Sequence, residues 1–464
     1  MAVLALNCPD IQVTVVDINE IQISKWNSSD LSQLPVYEPG LSEIVSQTRF
    51  KNLHFSTDLE GSIKKADIIF ISVNTPIKKQ GIGSGQACDV KWVESSARLV
   101  SKYSTGHTIV VEKSTVPVRT GATVEAILTS TNNQSNLDIN SKSFDVLSNP
   151  EFLAEGTAVN DLQNPDRVLI GGKSEIAVNV LEEIYLNWVS KDRIIKTNLW
   201  SSELSKLSAN AFLAQRVSSI NAISEICEVT GANINEVSNS IGKDKRIGSR
   251  FLQPGPGFGG SCFKKDILSL VYLCEHYGLK KIAKYWEQVI SINDHQQERI
   301  FKIIVNNLFG TVSGKKIVVL GFAFKSNTND TRESPAIFIC KKLLEEGAFL
   351  LINDPKVGIQ KISEDLGMSS VSESAKTKNQ FEGGWDFSHN LDDSFISADA
   401  VLILCDWDKY KVLNWNKISK DMRQPAWIFD TRDVVDESQV QSTNLNLWKL
   451  GKGSKNIQTD FNSL

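Results

Sequence analysis

The chain has 464 residues, with 50 Lys or Arg against 54 Asp or Glu, for a formal net charge of −4. At about 150 residues per domain, this length predicts about three domains. A hydrophobic fraction of 41% and a charged fraction of 22% are typical of a globular protein rather than a disordered one. The slightly acidic balance argues against nucleic-acid binding, which needs a positive surface for phosphates.

The cysteines and histidines show none of the spacings that signal cross-links or metal sites. The seven cysteines include no C-x-x-C pair, and the five histidines include no H-x-x-x-H pair. No run approaches the 18 apolar residues that a membrane span needs. The apolar start, Met1–Leu6, lacks the basic and longer apolar regions of a signal peptide. We therefore expect a cytoplasmic protein with no metal, membrane or nucleic-acid partner.

Short runs rich in Val and Ile recur through the first 200 residues and predict buried parallel strands. Polar helical stretches separate these runs, which implies right-handed β-α-β crossovers and an open parallel sheet. Residues 1–200 are therefore predicted to form one α/β domain. The predicted strands are Val13–Val16, Ile68–Val73, Thr108–Glu112, Phe144–Leu147 and Val168–Gly171.

The next segment, residues 201–310, carries no clear strand run. Apolar residues recur there at helical spacing and predict a long helix that continues to Glu228, with Gly231 as its stop. A glycine-rich loop follows at Gly255–Gly260, and a second helix is predicted to begin near Ser261. This segment is therefore predicted to be a helical connector.

Strand and helix patterns alternate again from residue 311 to residue 464 and predict a second α/β domain. The polar stretch Ser372–His389 is predicted to be an exposed loop. The fold class is thus α/β, with two parallel-sheet domains joined by a long helical connector. The predicted strands of the second domain are Lys315–Gly321, Leu350–Asn353, Ala400–Cys405 and Trp427–Asp430.

Asp17 ends the first predicted strand. In dinucleotide-binding folds, an acid at the end of the second strand hydrogen-bonds the ribose hydroxyls of NAD and repels the extra phosphate of NADP. Such an acid follows a G-x-G-x-x-G turn by about 20 residues, yet no glycine precedes Asp17. By itself Asp17 also fits an ordinary strand end. In a dinucleotide fold, the first strand and its phosphate-binding turn would be missing, and Met1–Asn7 would end the first helix.

Cys262 follows the glycine-rich loop, and Ser261 before it is a good helix N-cap. Cys262 is predicted to lie in the first helical turn, where the helix dipole lowers a thiol pKa and favours the nucleophilic thiolate. Asp266 lies four residues later, on the same helix face. A lone cysteine is more often a small buried hydrophobic residue. A cysteine that opens a helix after several glycines instead favours a catalytic nucleophile.

Two further groups carry chemistry-bearing side chains. Lys206 and Asn210 are four residues apart beside the apolar face of the long helix, although a single lysine there could also extend to solvent. The segment Asn149–Gly156 places Glu151 and Glu155 around a tight turn bracketed by proline and glycine. Loops held by a rigid scaffold often carry function.

Seven segments, in order along the chain, resemble the UDP-glucose 6-dehydrogenases of the UDP-glucose/GDP-mannose dehydrogenase family. The resemblance implies a Rossmann-like NAD-binding domain that lacks its first strand, a helical connector that mediates dimerisation, and a C-terminal domain for the UDP part. It also implies a homo-oligomer, either a dimer or a hexamer. The segments are VNTP at 73–76, EKSTVP at 112–117, NPEFLAEG at 149–156, NPDRVLIGG at 164–172, GFGGSCFKKD at 257–266, GFAFKSNTNDTRES at 321–334 and FDTR at 429–432.

The resemblance implies a reaction in which the sugar C6 alcohol of UDP-glucose is oxidised to the carboxylate of UDP-glucuronate, with two NAD+. The first hydride transfer would give an aldehyde, to which Cys262 would add as a thiohemiacetal. A second hydride transfer would give a thioester, which water would hydrolyse. The covalent adduct keeps the intermediate bound and splits a difficult step in two.

The resemblance also implies roles for single residues. Lys206 would stabilise oxyanions or move a proton, Asn210 would hydrogen-bond the reacting oxygen, and Glu151 would assist thioester hydrolysis as a base. Asp266 and Thr115 would position a water or the C6 oxygen. The implied NAD-binding residues are Asp17, Val73, Asn74, Thr75, Ser114 and Glu155. The implied substrate-binding residues are Phe152, Leu153, Arg246, Phe258, Gly259, Lys325 and Arg432.

The cations of this set match the diphosphate of the substrate, and Arg246 would reach into a neighbouring subunit's site. Gln22, Gln253, Lys264 and Asp433 depart from residues common in animal members. With the missing phosphate turn, these departures favour one alternative: a subunit that binds UDP-sugar but binds the cofactor weakly or does not catalyse. A second alternative is a sister enzyme that acts on GDP-mannose or UDP-N-acetylmannosamine, although the GGSCF and NPEFLAEG strings favour UDP-glucose.

Overall fold

The computed structural model describes residues 1–130, 142–372 and 383–452. The chain divides into two compact units. Unit 1 contains Met1–Asn210 and Lys265–Ala283, and unit 2 contains Ala211–Lys264 and Lys284–Leu464. Across the described ranges, no helix is both long enough and apolar enough to cross a bilayer.

The strands are short, and most follow the apolar runs of the sequence. In chain order they are β1 (Val13–Val16), β2 (Leu53–Ser56), β3 (Ile68–Ile71), β4 (His107–Glu112), β5 (Ser143–Ser148), β6 (Val168–Gly172), β7 (Ile194–Thr197), β8 (Lys316–Leu320), β9 (Phe349–Asn353), β10 (Gly384–Phe387), β11 (Ala400–Ile403), β12 (Ala426–Asp430) and β13 (Leu445–Lys449).

The helices of the first 200 residues are short. They are α1 (Ala2–Asn7), α2 (Glu20–Asn27), α3 (Leu41–Thr48), α4 (Leu59–Lys65), α5 (Lys91–Tyr103), α6 (Thr120–Ser130), α7 (Ala158–Gln163) and α8 (Glu175–Tyr185). Single 3-10 turns occur at Leu31–Gln33 and Lys191–Arg193.

Two much longer helices follow, with shorter ones between and after them. The remaining helices are α9 (Leu199–Thr230), α10 (Ile234–Gly242), α11 (Phe263–His276), α12 (Lys280–Asn307), α13 (Pro335–Glu345), α14 (Ile359–Leu366), α15 (Leu391–Ser394), α16 (Asp408–Lys411), α17 (Trp415–Asp421) and α18 (Glu437–Gln441).

Unit 1 holds two separate sheets. Strands β1 and β2 pair in parallel, and the other sheet has the order β3-β4-β5-β6-β7. Among the described strands, none is hydrogen-bonded to both β1 and β3, which belong to different sheets. The helix predicted at the start of the chain is present as α1. Buried Val and Leu side chains such as Val110, Val111 and Leu147 form the core around β4 and β5.

One pairing in this sheet departs from the predicted all-parallel arrangement. Strand β5 pairs antiparallel with β6 at two positions, Leu147 with Gly172 and Ser148 with Gly171, while the other pairs are parallel. The short helix α7 between β5 and β6 lies in a connection of nineteen residues. This connection reverses the chain instead of completing a parallel crossover, and an apolar run alone does not carry strand direction.

Unit 2 contains one six-stranded sheet of order β10-β9-β8-β11-β12-β13, and all its pairs are parallel. Its central strands are buried on both faces, with Ile317 and Val319 on one face and Val318 and Leu320 on the other. Near-continuous apolar strands of this kind are typical of parallel sheets covered by helices. The second predicted α/β domain is therefore present.

The segment from residue 201 to residue 308 is mostly helical, as predicted, with an irregular stretch between α10 and α11. Helix α9 ends at Thr230, and Gly231 follows with φ of 78° while its N–H bonds the carbonyl of Cys227. That left-handed position favours glycine. The prediction of a loop at Ser372–His389 is wrong for Gly384–Phe387, which forms β10 beside β9. Residues 373–382 of that predicted loop lie outside the described residues.

Candidate active site

In unit 1, four of the predicted site residues lie in one buried network. The Asp266 side chain is fully buried in the first turn of α11, where Oδ2 accepts a hydrogen bond from Asn210 Nδ2 at 2.6 Å. Its Oδ1 lies 2.9 Å from Lys265 Nζ, an ion pair without the direction of a hydrogen bond. Lys265 Nζ also donates to Thr75 Oγ1 at 3.4 Å, and Thr75 donates to the Thr115 carbonyl at 2.9 Å. Lys265 was not predicted and connects the network.

Lys206 lies one helical turn before Asn210 on α9 and is 5% exposed. Its ammonium lies over the ring of Phe152, 5.4 Å from the ring centroid. The guanidinium of Arg167 lies over the same ring at 3.9 Å. Cations are attracted to the negative face of an aromatic ring at such distances. Phe152 and Lys206, which were predicted separately as site residues, are therefore in contact, and Arg167 contacts the same ring.

The loop that carries Glu151 and Phe152 is held by carboxylates at its far end. Glu38 accepts hydrogen bonds from the backbone N–H groups of Gly156 at 2.9 Å and Ala158 at 2.5 Å. Asp161 accepts from the Ala154 N–H and the Thr157 hydroxyl, both at 2.9 Å. Exposed N–H groups at the start of α7 attract negative charge. Glu38 therefore acts as a cap from a distant segment.

Five of the six residues assigned to NAD follow the carboxyl ends of β1, β3 and β4, and the sixth, Glu155, lies in the loop after β5. Asp17 is exposed, and its Oδ1 accepts the Asn19 N–H at 2.8 Å. The Val73 N–H donates to Ser114 Oγ at 2.8 Å, which joins the turns after β3 and β4. An exposed acid after β1 and a braced turn after β3 fit the ribose and nicotinamide parts of a dinucleotide lying across the carboxyl edge of the strands.

Unit 1 also contains a buried pair of carboxyl groups. Glu112, the last residue of β4, and Glu203, on α9, are 1% and 2% exposed. Glu203 accepts the N–H groups of Arg119 at 2.6 Å and Gly121 at 2.7 Å, at the start of α6. No described N–H or hydroxyl group donates to either oxygen of Glu112.

Burial raises the pKa of both groups of this pair. For Glu112 the lost hydration comes first, followed by repulsion from Glu203, and its pKa lies well above the usual value. For Glu203 the lost hydration raises the pKa, while the two backbone N–H donors oppose the shift. The proton of the pair therefore lies on Glu112, which can donate it to Glu203.

In unit 2, Cys262 lies directly before α11 and not inside its first turn. The helix begins at Phe263, because the residues up to Cys262 still belong to the irregular glycine-rich loop. Cys262 is half-buried, with Sγ 3.3 Å from Ser261 Oγ. A thiol at this place still lies at the positive end of the helix dipole. The prediction that Cys262 lies in the first helical turn, with Ser261 as the N-cap, is therefore wrong by one residue.

Amide side chains from two helices hold the loop before Cys262. Asn221 Oδ1 of α9 accepts the Gly255 N–H at 2.9 Å, and Gln296 Nε2 of α12 donates to the Gly255 carbonyl at 2.9 Å. Asn293 of α12 accepts the Phe258 N–H at 2.7 Å and donates to the Phe258 carbonyl at 3.3 Å. The loop has no helix or strand of its own, so these side chains satisfy its backbone.

Gly259 of this loop lies against another backbone segment. A Cβ at Gly259 would lie 2.5 Å from the carbonyl oxygen of Glu333 and 2.8 Å from Cβ of Phe324. The next N–H, of Gly260, donates to the Arg332 carbonyl at 2.8 Å. Any side chain at Gly259 would therefore separate the cysteine loop from the segment that carries Lys325.

The predicted substrate cations of unit 2 are arranged differently from one another. Arg432 donates from Nε to the Leu404 carbonyl and from Nη2 to the Phe324 carbonyl, both at 3.0 Å. A Cβ on Gly255 would lie 3.0 Å from Arg432 Nη1, so the glycine leaves room for the guanidinium. Lys325 lies over the Phe324 ring at 5.4 Å. Arg246 is 89% exposed and pairs with Asp244 at 2.6 Å.

The predicted site residues thus fall into two sets, one in each unit. Among the residues of the described ranges, no cluster of three or more His, Cys, Asp or Glu side chains is arranged to hold a metal ion. Unit 1 holds Asp17, Val73, Asn74, Thr75, Ser114, Thr115, Glu151, Phe152, Leu153, Glu155, Lys206, Asn210 and Asp266; unit 2 holds Arg246, Phe258, Gly259, Cys262, Lys325 and Arg432.

Three domains of one known protein family match most of the chain. Residues 1–189 match the UDP-glucose/GDP-mannose dehydrogenase family, NAD binding domain. Residues 200–295 match the central domain of that family, and residues 318–437 match its UDP binding domain.

Individual relatives agree with these matches. The chain is 51% identical over 467 residues to UDP-glucose 6-dehydrogenase 3 of Arabidopsis thaliana, covering 97% of this chain and 94% of that one. It is 51% identical, with the same coverage, to UDP-glucose 6-dehydrogenase 4 of Oryza sativa subsp. japonica. A solved UDP-glucose dehydrogenase from the archaeon Pyrobaculum islandicum matches with a TM-score of 0.81 and 26% identity, covering 97% of this chain and 94% of that one.

Proposed function

Because the chain belongs to the UDP-glucose/GDP-mannose dehydrogenase family, we propose that it oxidises UDP-glucose to UDP-glucuronate with NAD as the hydride acceptor. One structural observation gives this proposal its strongest support. Asp266, a fully buried carboxylate paired with Asn210, follows the half-buried Cys262 by four residues in the chain. Burying a charge is costly unless it is paired, so its retention four residues along the chain from a thiol at a helix end fits a catalytic role.

The cofactor supplies the chemistry of hydride acceptance, and we assign its binding to unit 1. Asp17 would accept hydrogen bonds from ribose hydroxyls, and the turn held by Val73 and Ser114 would border the nicotinamide half. Glu155, Asn74 and Thr75 belong to the same assignment. We also propose that residues 1–200 serve NAD binding, residues 201–310 connect and dimerise, and residues 311–464 bind the UDP part.

In the first oxidation the substrate loses a hydride from C6 and a proton from its hydroxyl. The ammonium of Lys206 and the amide of Asn210 would donate hydrogen bonds to that oxygen as negative charge develops on it, and its proton would pass to a water positioned by Asp266 and Thr115. Lys206 is suited to this because its ammonium is nearly buried, where charge interactions are stronger than in water. The product at this stage is an aldehyde.

The second oxidation passes through Cys262. Its sulfur would form a bond to the aldehyde carbon, giving a thiohemiacetal whose oxygen carries the proton. Loss of a second hydride and of that proton gives a thioester. Water, with Glu151 as the base, then adds to the carbonyl and breaks the carbon–sulfur bond, which releases the carboxylate and the thiol. Four electrons leave the sugar in two hydride transfers.

Absorbance of NADH tests the proposal directly. Purified protein with UDP-glucose should form two NADH for each UDP-glucose consumed, and more slowly or not at all with GDP-mannose or UDP-N-acetylmannosamine. Absence of NADH at saturating NAD+ would defeat the proposal. Calorimetry distinguishes this enzyme from the alternative, a subunit that binds UDP-sugar without catalysis. Such a subunit should give a heat of binding with UDP-glucose and none with NADH.

We propose further that the protein forms a homodimer through α9. Its unit 2 part carries four exposed apolar side chains within one face: Phe212 (58%), Ile223 (37%), Ile226 (54%) and Val229 (57%). An amphipathic helix normally turns such a face toward a partner surface. Phe212 and Ile226 are each seven residues from Ser219, so an antiparallel two-fold crossing at Ser219 would place Phe212 against the partner subunit's Ile226.

Replacing Ile226 with glutamate is expected to halve the mass in solution, because each interface would bury two unpaired carboxylates. Light scattering after size exclusion measures this mass. Phe309→Glu is the matched control, since Phe309 is 69% exposed but follows α12 instead of lying on the α9 face. An Ile226→Glu protein of the same mass as the unaltered one would contradict the proposed interface.

A further inference from the structure

We infer that Arg167 is a positioning residue that holds the Phe152 ring in place and, through this ring, the ammonium of Lys206. This inference rests on the proposed function, in which Lys206 handles the substrate hydroxyl. Arg167 belongs to the NPDRVLIGG segment, to which no role was assigned from the sequence. Its place in the structure suggests why an arginine lies there.

The two cations contact the same ring at different distances. Arg167 Cζ lies 3.9 Å from the Phe152 ring centroid, a stacking distance, while Lys206 Nζ lies 5.4 Å away. A planar guanidinium stacks on an aromatic ring, whereas an ammonium acts as a compact charge. The closer and more directional contact is that of Arg167. It therefore fixes the ring, and the ring supplies the attraction felt by the ammonium.

The backbone on each side explains why this support is needed. Phe152 lies in a stretch without helix or strand, and the contacts of Glu38 and Asp161 hold the loop only from residue 154 onward. Arg167 directly precedes the buried strand β6, so its own backbone is fixed. The side chain of Arg167 thus connects the strand β6 to the part of the loop that precedes residue 154.

Lys206 gains from such support because α9 fixes the base of a long side chain, while the Phe152 ring is one of the contacts at its far end. A lysine side chain has several rotatable bonds, and ordering it costs conformational entropy. Its ammonium is also almost fully removed from water. The ring face compensates part of the lost hydration and selects one orientation of the ammonium. Without Arg167 the ring can leave, and both effects weaken.

The test compares Arg167→Met, Arg167→Lys and a matched control, Arg193→Met. Arg193 donates to the Pro165 carbonyl at 3.2 Å, so it contacts the same segment two residues from Arg167 but not the Phe152 ring. Each protein is measured for kcat and KM with UDP-glucose, for its thermal unfolding midpoint, and for the rate at which acetic anhydride modifies Lys206 at one fixed pH. The modified peptide is quantified by mass spectrometry.

Arg167→Met is expected to lower kcat/KM by about tenfold, the effect of losing one partly buried cation–π contact. Most of the loss should fall on kcat, and the acetylation rate of Lys206 should rise several-fold because the ammonium loses its contact with the ring face. Arg167→Lys, which restores the charge but not the planar stacking, should recover part of both effects. Arg193→Met should match the unaltered protein in every measurement.

Two results would overturn the inference. Unchanged kcat and unchanged Lys206 acetylation in Arg167→Met would show that the ring keeps its place without the arginine. A loss of activity that only follows a lower unfolding midpoint, with no recovery in Arg167→Lys, would assign Arg167 to stability alone. If the unaltered protein forms no NADH, the proposed function fails, while the acetylation rates still decide the positioning.

Discussion

Replacing Cys262 with alanine is expected to lower NADH formation from UDP-glucose by about three orders of magnitude or more, the usual cost of removing a catalytic nucleophile. Without the thiol, the aldehyde cannot become a thiohemiacetal, and the second hydride has no covalent adduct to leave from. At most one NADH per substrate should form, instead of two. Steady-state absorbance and product analysis by mass spectrometry measure both numbers.

The same sulfur should also be the first to react with iodoacetamide. Cys262 is half-buried, whereas the other cysteines are buried except Cys88. Burial raises the pKa of all six other thiols, which lowers their reactive thiolate fraction at neutral pH. These thiols are Cys8, Cys88, Cys227, Cys274, Cys340 and Cys405. Limited alkylation should therefore modify Cys262 and remove activity in parallel.

Cys340→Ala is the matched control for both experiments. Cys340 is fully buried on α13, far along the chain from the cysteine loop, so its loss should cost stability but not activity per folded molecule. UDP-glucose should slow the alkylation of Cys262. An alkylated protein that keeps its activity, or a Cys262→Ala protein that still forms two NADH, would contradict the covalent mechanism.

Replacing Glu203 with alanine is expected to reduce the free energy of unfolding by about 3 kcal/mol. The substitution removes the acceptor of two backbone N–H groups at the start of α6, those of Arg119 and Gly121. It leaves these buried donors unpaired and creates a cavity behind Glu112. Urea denaturation measures the loss, which a fall of less than 1 kcal/mol would contradict.

Glu112→Gln is expected to increase the free energy of unfolding, and this gain should grow with pH. The raised pKa of Glu112 means that the folded protein keeps a proton which the unfolded chain releases above about 4.5. The stability from this proton is present below that pH and is lost as the pH rises toward the folded pKa, by up to about 1.4 kcal/mol per pH unit. Glutamine resembles the protonated acid and does not titrate.

Unfolding free energies at pH 5 and pH 8 test this sign. The gain from Glu112→Gln over the unaltered protein should be small at pH 5 and larger at pH 8. Glu60→Gln is the control, because the Glu60 side chain is 51% exposed and its contact with Lys64 lies on the surface. An equal gain from Glu112→Gln at both pH values would mean that the buried pair holds no extra proton.

Most of the fold could be predicted because buried strands of parallel sheets read as continuous apolar runs. The four strands that the sequence did not reveal, β2, β7, β10 and β13, all lie at sheet edges. One side of an edge strand faces away from the sheet, so strands such as LHFS and IIKT mix polar with apolar residues. Local patterns therefore identify sheet centres better than sheet borders.

Site residues could be predicted only where the neighbouring sequence points to their role. This holds for Cys262, which follows several glycines, and for Lys206 and Asn210, whose spacing places them on one helix face. Arg167, Lys265 and Glu38 act through residues distant in sequence, and neither periodicity nor spacing predicts those contacts. Glu112 is the last residue of an apolar strand, and from the sequence it is expected to be a polar, exposed strand end. In the structure it is instead buried beside a second acid, Glu203.

The way in which Asn221, Asn293 and Gln296 hold Gly255 and Phe258 limits how this segment can be transplanted. A chimera that received only residues 255–262 would obtain the glycines and the thiol without the amides that satisfy their peptide groups. Its loop would collapse into other conformations. A functional graft therefore has to include the three amide side chains, which makes the smallest portable module two helices plus the loop.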